Sequence, residues 1–96
     1  MIEAVFNQIK KQAENIAPLG ATLKFVLDDN NIFIDGTGET NSVTDEDKDA
    51  DCTIITSTET LIQLRNGNLN PMMAVMGGKI KIKGDMGLAM KLQSLI

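Results

Sequence analysis

Ile2, Val5, Phe6, Ile9, Ala13 and Ile16 recur at steps of three and four. That spacing predicts an amphipathic helix over residues 2–16, with Glu3, Lys10, Lys11 and Glu14 turned outward. Pro18 and Gly20 end it. In TLKFVLDDNNIFID the period falls to two: Leu23, Phe25 and Leu27 alternate onto one face, and the DDNN run suits a tight turn between antiparallel strands. Residues 36–51, GTGETNSVTDEDKDAD, are polar and acidic and read as a loop with a short strand near Ser42–Thr44. DCTIITS follows as a further strand.

Thr56 and Glu59 have the spacing of a capping box, so TETLIQLRNG is predicted to start a helix with Leu61, Ile62 and Leu64 inward and Gly67 closing it. Asn70 and Pro71 read as the cap and first residue of a short helix, Met72–Met76, ended by Gly77 and Gly78. KIKIKG is the clearest strand, with Ile80 and Ile82 on one face and Lys79, Lys81 and Lys83 on the other. Asp85 is placed to cap a last helix running from Met86 to the end. The sum is one α+β domain over residues 1–96, helices packed on one face of a mainly antiparallel sheet.

Composition narrows the function. An apolar fraction of 43% with 23% charged residues is that of a globular protein. No apolar run approaches the roughly 20 residues of a membrane span, and MIEAVFNQIKKQAEN lacks the pattern of a secretory signal, so a cytoplasmic location is expected. The single Cys52 forms no internal disulfide, and without histidine a cysteine and histidine metal site is ruled out. Net charge is −4, but residues 1–59 hold twelve of the thirteen acids, while residues 60–96 hold Asp85 against Arg65, Lys79, Lys81, Lys83 and Lys91. Three Phe and no Tyr or Trp argue against a nucleic-acid partner.

Apart from the initiator, every methionine falls between Asn70 and Leu92: Met72, Met73, Met76, Met86 and Met90. Taken as one helix at about 100° per residue, Leu88, Ala89, Leu92, Leu95 and Ile96 span about 120°, and Met86 and Met90 widen the arc to roughly 220°. A helix on a sheet needs only about 100°, so this surplus face needs another partner. Three readings follow: the methionines fill gaps in the core, line a cavity for a flexible apolar ligand, or form a homodimer seam. Composition does not separate them.

Other chemistry is sparse. Asp45, Asp47 and Asp49 alternate like the start of a calcium loop, but Ala50 stands where that loop needs Gly and Thr56 where it needs Glu. Gly36 and Gly38 lack the Gly-Lys-Ser/Thr of a phosphate loop and read as turn residues. Cys52 has no histidine to activate it, and no carboxylate sits in an apolar run that would tune its pKa. No catalytic, metal or cofactor site is expected, and the protein reads as a non-enzyme.

ADCTI at 50–54, GNLNP at 67–71 and GKIKIKGDMGLAMKLQSL at 78–95 resemble the sterol carrier protein 2 family, the small non-specific lipid-transfer domain. The second half matches almost residue for residue, the first half only in its pattern of elements. The resemblance implies a five-stranded sheet covered on one side by helices and an apolar tunnel for a fatty acid, fatty acyl-CoA, sterol or similar ligand. It selects the cavity reading of the methionines. Carried over by position, Leu64, Met72, Met73, Met76, Ile82, Met86 and Met90 fall along or near that tunnel, with Phe25 on the first strand a further candidate. Where the family is often aromatic after the Asn-Pro, this chain has MMAVMGG.

Lys91 or Arg65 is a candidate to attract a head group at the mouth, and the last helix, with Gly87 near its start, to act as a gate. Members addressed to peroxisomes end in a tripeptide resembling Ser-Lys-Leu; Ser94, Leu95 and Ile96 point instead to a stand-alone bacterial protein. The expected partners are a lipid and, transiently, an anionic membrane surface, with the protein a monomer or weak homodimer. The rival reading is a protein-interaction or quinone-biosynthesis accessory module using the same methionine-rich face.

Overall fold

The computed structural model describes residues 2–96. α1 (Ile2–Glu14) is followed by β1 (Thr22–Leu27), β2 (Asn30–Asp35), β3 (Ser42–Thr44) and β4 (Cys52–Thr56). Then come α2 (Thr58–Arg65), α3 (Pro71–Met76), β5 (Lys81–Gly84), α4 (Met86–Ala89) and α5 (Leu92–Leu95). The five strands form one sheet in the order β3-β2-β1-β4-β5. β1 and β4 are parallel at its centre and every other pairing is antiparallel.

Alternation along the strands gives the sheet two unlike faces. Leu23, Phe25 and Leu27 of β1, Ile32 and Ile34 of β2, and Cys52 and Ile54 of β4 are all buried on the helix side. α1 closes that side with Val5, Ile9 and Ala13, spaced by one helical turn each. Each large apolar side chain buried here contributes about 1.5–3 kcal/mol relative to exposure.

On the outer face, loop 45–51 is strapped to the sheet. Lys24 pairs with Asp47 at 2.9 Å, Lys48 lies 5.8 Å over the Phe33 ring, and Asp51 accepts from the Thr22 N–H and hydroxyl. This explains why Phe33 is only 5% exposed on the side away from the core.

The structure departs from the sequence reading at the start of α2 and in the last helix. α2 is capped by Ser57, whose hydroxyl oxygen accepts from the Thr60 N–H at 3.0 Å, and not by Thr56. Thr56 is the last residue of β4, paired with Leu27, and its hydroxyl donates to the Lys79 carbonyl at 2.8 Å. The single last helix is in fact two. Lys91 N–H bonds to Leu88 O and Ser94 N–H to Lys91 O, tight turns that break the helix at Met90–Lys91. The break lets one segment meet two surfaces, since α4 packs on β4 and β5 while α5 packs on α1.

Candidate functional site

α3 begins where Asn70 turns its side-chain oxygen onto the Met72 N–H at 2.9 Å, and Pro71 occupies the first helical position. Only Ala74 of this helix is fully buried; Pro71 and Val75 are half-buried, and Met72, Met73 and Met76 are left at the surface. Across from it, β5 turns Ile82 toward the helices. Gly84 ends that strand at φ 99°, a backbone conformation that favours glycine. Asp85 then starts α4, accepting from the Leu88 N–H at 3.1 Å.

Between these elements lies an apolar groove of about 310 Å³. α3 contributes Pro71, Met72, Val75 and Met76; β5 contributes Ile82; the last segment contributes Met86, Ala89, Met90, Leu92 and Gln93. Gln93 is the sole polar side chain of the lining, and no titratable group belongs to it. The volume is at the lower end of the roughly 300–1,000 Å³ of small-molecule sites.

The large hydrophobic residues exposed among the described residues are all methionines: Met72, Met73, Met76, Met86 and Met90, each 58–80% exposed. They are not gap fillers in the core. Met72, Met76, Met86 and Met90, with Ile82, are brought together around the groove, which is open at the surface along these side chains rather than sealed as a tunnel.

Three candidates lie elsewhere. Phe25 is wholly buried in the core beside Ile54. Met73 is exposed outside the lining. Leu64 lines a neighbouring, more polar cleft of about 480 Å³ with Arg65, and that cleft shares Pro71 and Gln93 with the groove. Lys91 is exposed in the turn beside Met90.

Val75, Ala89 and Leu92 are lining residues that sequence reasoning did not single out. Helical spacing carried the signal, because Val75 is three residues from Met72, and Ala89 is three from Met86. Cys52 is fully buried, and burial pushes its thiol pKa up, with the Asp85 charge adding to the effect. A thiol held protonated is a poor nucleophile. Among the described residues no group of three or more acids, cysteines or histidines is placed to hold a metal ion.

The sequence profile of the SCP-2 sterol transfer family matches residues 2–96. Sterol carrier protein 2 of Bos taurus is 36% identical over 103 aligned residues, covering 95% of this chain and 19% of the bovine protein. That of Rattus norvegicus is 52% identical over 58 residues, 60% of this chain and 11% of the rat protein. The chain therefore spans less than a fifth of the length of either relative. The solution structure of the sterol carrier protein domain 2 of Helicoverpa armigera superposes with a TM-score of 0.78 at 28% identity, over 98% of this chain and 84% of that one. With the profile matched over all the described residues, and with the same sheet and helices in a solved relative, the chain belongs to the SCP-2 sterol transfer family.

Proposed function

We propose that the protein is a lipid carrier that holds one fatty acid, fatty acyl-CoA, sterol or comparable apolar molecule along the methionine-lined groove and performs no reaction on it. The observation that carries this reading is a lining of apolar side chains with Gln93 alone as a polar group, open to the surface through exposed methionines. Acid–base or nucleophilic chemistry needs a titratable or nucleophilic side chain within reach of the substrate, and the lining supplies neither.

The driving force is burial. An acyl chain of about 16 carbons contributes on the order of 0.8 kcal/mol per methylene removed from water. Ordering the chain and the walls costs several kcal/mol, which leaves binding on the micromolar scale and little dependence on ligand shape. Methionine suits that looseness, because its unbranched thioether repacks around different contours. Membership of a sterol transfer family supports the same class of ligand.

Native mass spectrometry of protein purified without detergent, followed by denaturing extraction, tests the proposal. The expected result is a monomer carrying heterogeneous lipid adducts that are lost in Met76→Asp and Met90→Asp. Both positions are 80% exposed, so the substitutions leave the core untouched. A ligand-free dimer, unmoved by added fatty acid or acyl-CoA, would assign the same side chains to a protein interface and replace the carrier reading.

A further inference from the structure

A second cleft lies between α1 and the sheet, and it shares no residue with the methionine-lined groove. It exists because β2 outruns its neighbour. β3 pairs only with Phe33, Ile34 and Asp35, so along Asn30–Ile32 the sheet has β1 on one side and no strand on the other. The chain leaves the sheet at Asp45, and the first turns of α1, which packs on β2 and β3, wall the gap. The cleft measures about 410 Å³, within the roughly 300–1,000 Å³ of small-molecule sites.

Its lining has an apolar part and an acidic part. Ile32, which is 1% exposed, and the half-buried Ile2 and Phe6 form the apolar base. Asn7, Asn30 and Asn31 add three amides, while Glu3 from α1 and Asp45 from the loop after β3 add two carboxylates. No cation belongs to the lining. Among the described residues, none of these five polar side chains joins a hydrogen bond or an ion pair. Of the four lysines in residues 1–59, Lys24 and Lys48 are paired with Asp47 and Glu46. Lys10 and Lys11 stand about two turns along α1 from Glu3.

We propose that this cleft binds a small organic cation, a primary ammonium on an apolar body, with the ammonium between Glu3 and Asp45 and the body against Ile2, Phe6 and Ile32. An ammonium has three donors and no acceptor, and the lining offers carboxylate and amide oxygens with no competing cation. A quaternary ammonium is best held by a cage of several rings; Phe6 is the one ring of this lining, so the donors of a primary amine suit it better. An anion is repelled by the two carboxylates, and a wholly apolar molecule would strip water from five polar side chains without replacing it. The carboxylates contribute unequally. Glu3 lies in the first turn of α1, where the positive end of the helix takes up part of its charge, whereas Asp45 lies outside any helix and is the stronger contact.

Titration of the isotope-labelled whole chain with phenethylamine, followed by NMR, tests the proposal. The side-chain amide signals of Asn7, Asn30 and Asn31 should shift, with a dissociation constant on the order of 1 mM, as suits a ligand this small. Affinity should fall as salt is raised. Asp45→Asn should weaken binding about fivefold, Glu3→Gln about twofold, and the two together about tenfold. Both residues are exposed, so the substitutions leave the core untouched. Glu14→Gln with Glu39→Gln, at exposed acids outside the lining, should change it by less than about twofold. Phenethyl alcohol, the same body without the charge, should bind at least about tenfold more weakly.

Equal binding of the alcohol, unchanged affinity in the Glu3 and Asp45 double variant, or shifts at Val75 and Ile82 in place of the asparagines would each overturn the cation site. Tetralysine shifting the asparagine signals where phenethylamine does not would assign the cleft to a basic protein segment and overturn it as well. The proposal stands or falls apart from the carrier reading, because cleft and groove have no lining residue in common.

Discussion

Asn41 shows how much one side chain can fix outside any regular element. It is 3% exposed, and its amide nitrogen donates to the carbonyls of Ala13 and Ala17 while its oxygen accepts from the Leu19 N–H. One residue thereby satisfies three backbone groups where α1 ends and the chain turns toward β1. Gly36 packs against it so closely that a Cβ there would fall 2.7 Å from the Asn41 oxygen. Asn41→Ala should lower stability by about 2–3 kcal/mol, because it leaves buried partners unsatisfied. Urea denaturation should show the midpoint falling with the slope unchanged. None of this was legible in the sequence. An Asn in a polar, acidic run looks like any loop residue, and its partners lie 22 to 28 positions away.

Elements were legible where a local rule acts alone. Asn70 and Pro71 announced α3 because a cap needs only its own next three residues, and the strands followed from alternation. The last helix was misread because Leu88, Leu92 and Leu95 keep helical spacing whether or not the helix is broken. The break comes from α4 seating on β4 and β5 while α5 seats on α1, which no local pattern encodes. Thr56 and Ser57 are both competent caps, and the register of β4 against β1 decides between them. The dependence of α3 on its cap gives a test at this scale. With Ala74 as its buried anchor, α3 has little tertiary support, so Asn70→Ala should cost about 1 kcal/mol. That cost should appear as faster amide exchange over residues 71–77 and, because α3 is a wall of the groove, as roughly fivefold weaker binding of a fluorescent fatty acid.

At the scale of the molecule, the sequence picked out the methionines that line the groove but not which way they face, since helical spacing serves a core stripe and a groove equally. Exposure decides it, and it also separates the stability of the fold from the function of the groove. The core is built from β1, β2, β4 and the buried sides of all five helices, without Met72, Met76, Met86 or Met90. Substituting all four by Gln should therefore leave the ligand-free melting temperature nearly unchanged, as exposed substitutions usually stay within about 0.5 kcal/mol each. Loading is different: a ligand at a hundred times its dissociation constant adds about 2.7 kcal/mol, which in a domain of this size raises the melting temperature by on the order of 10 °C. The fourfold variant should lose that rise while keeping its baseline, read by differential scanning fluorimetry with and without palmitate. A lowered baseline would mean that the methionines hold the fold together, and a rise that survives would place the ligand elsewhere. A stable baseline with the rise abolished would mean that four side chains the fold does not need are present for the ligand.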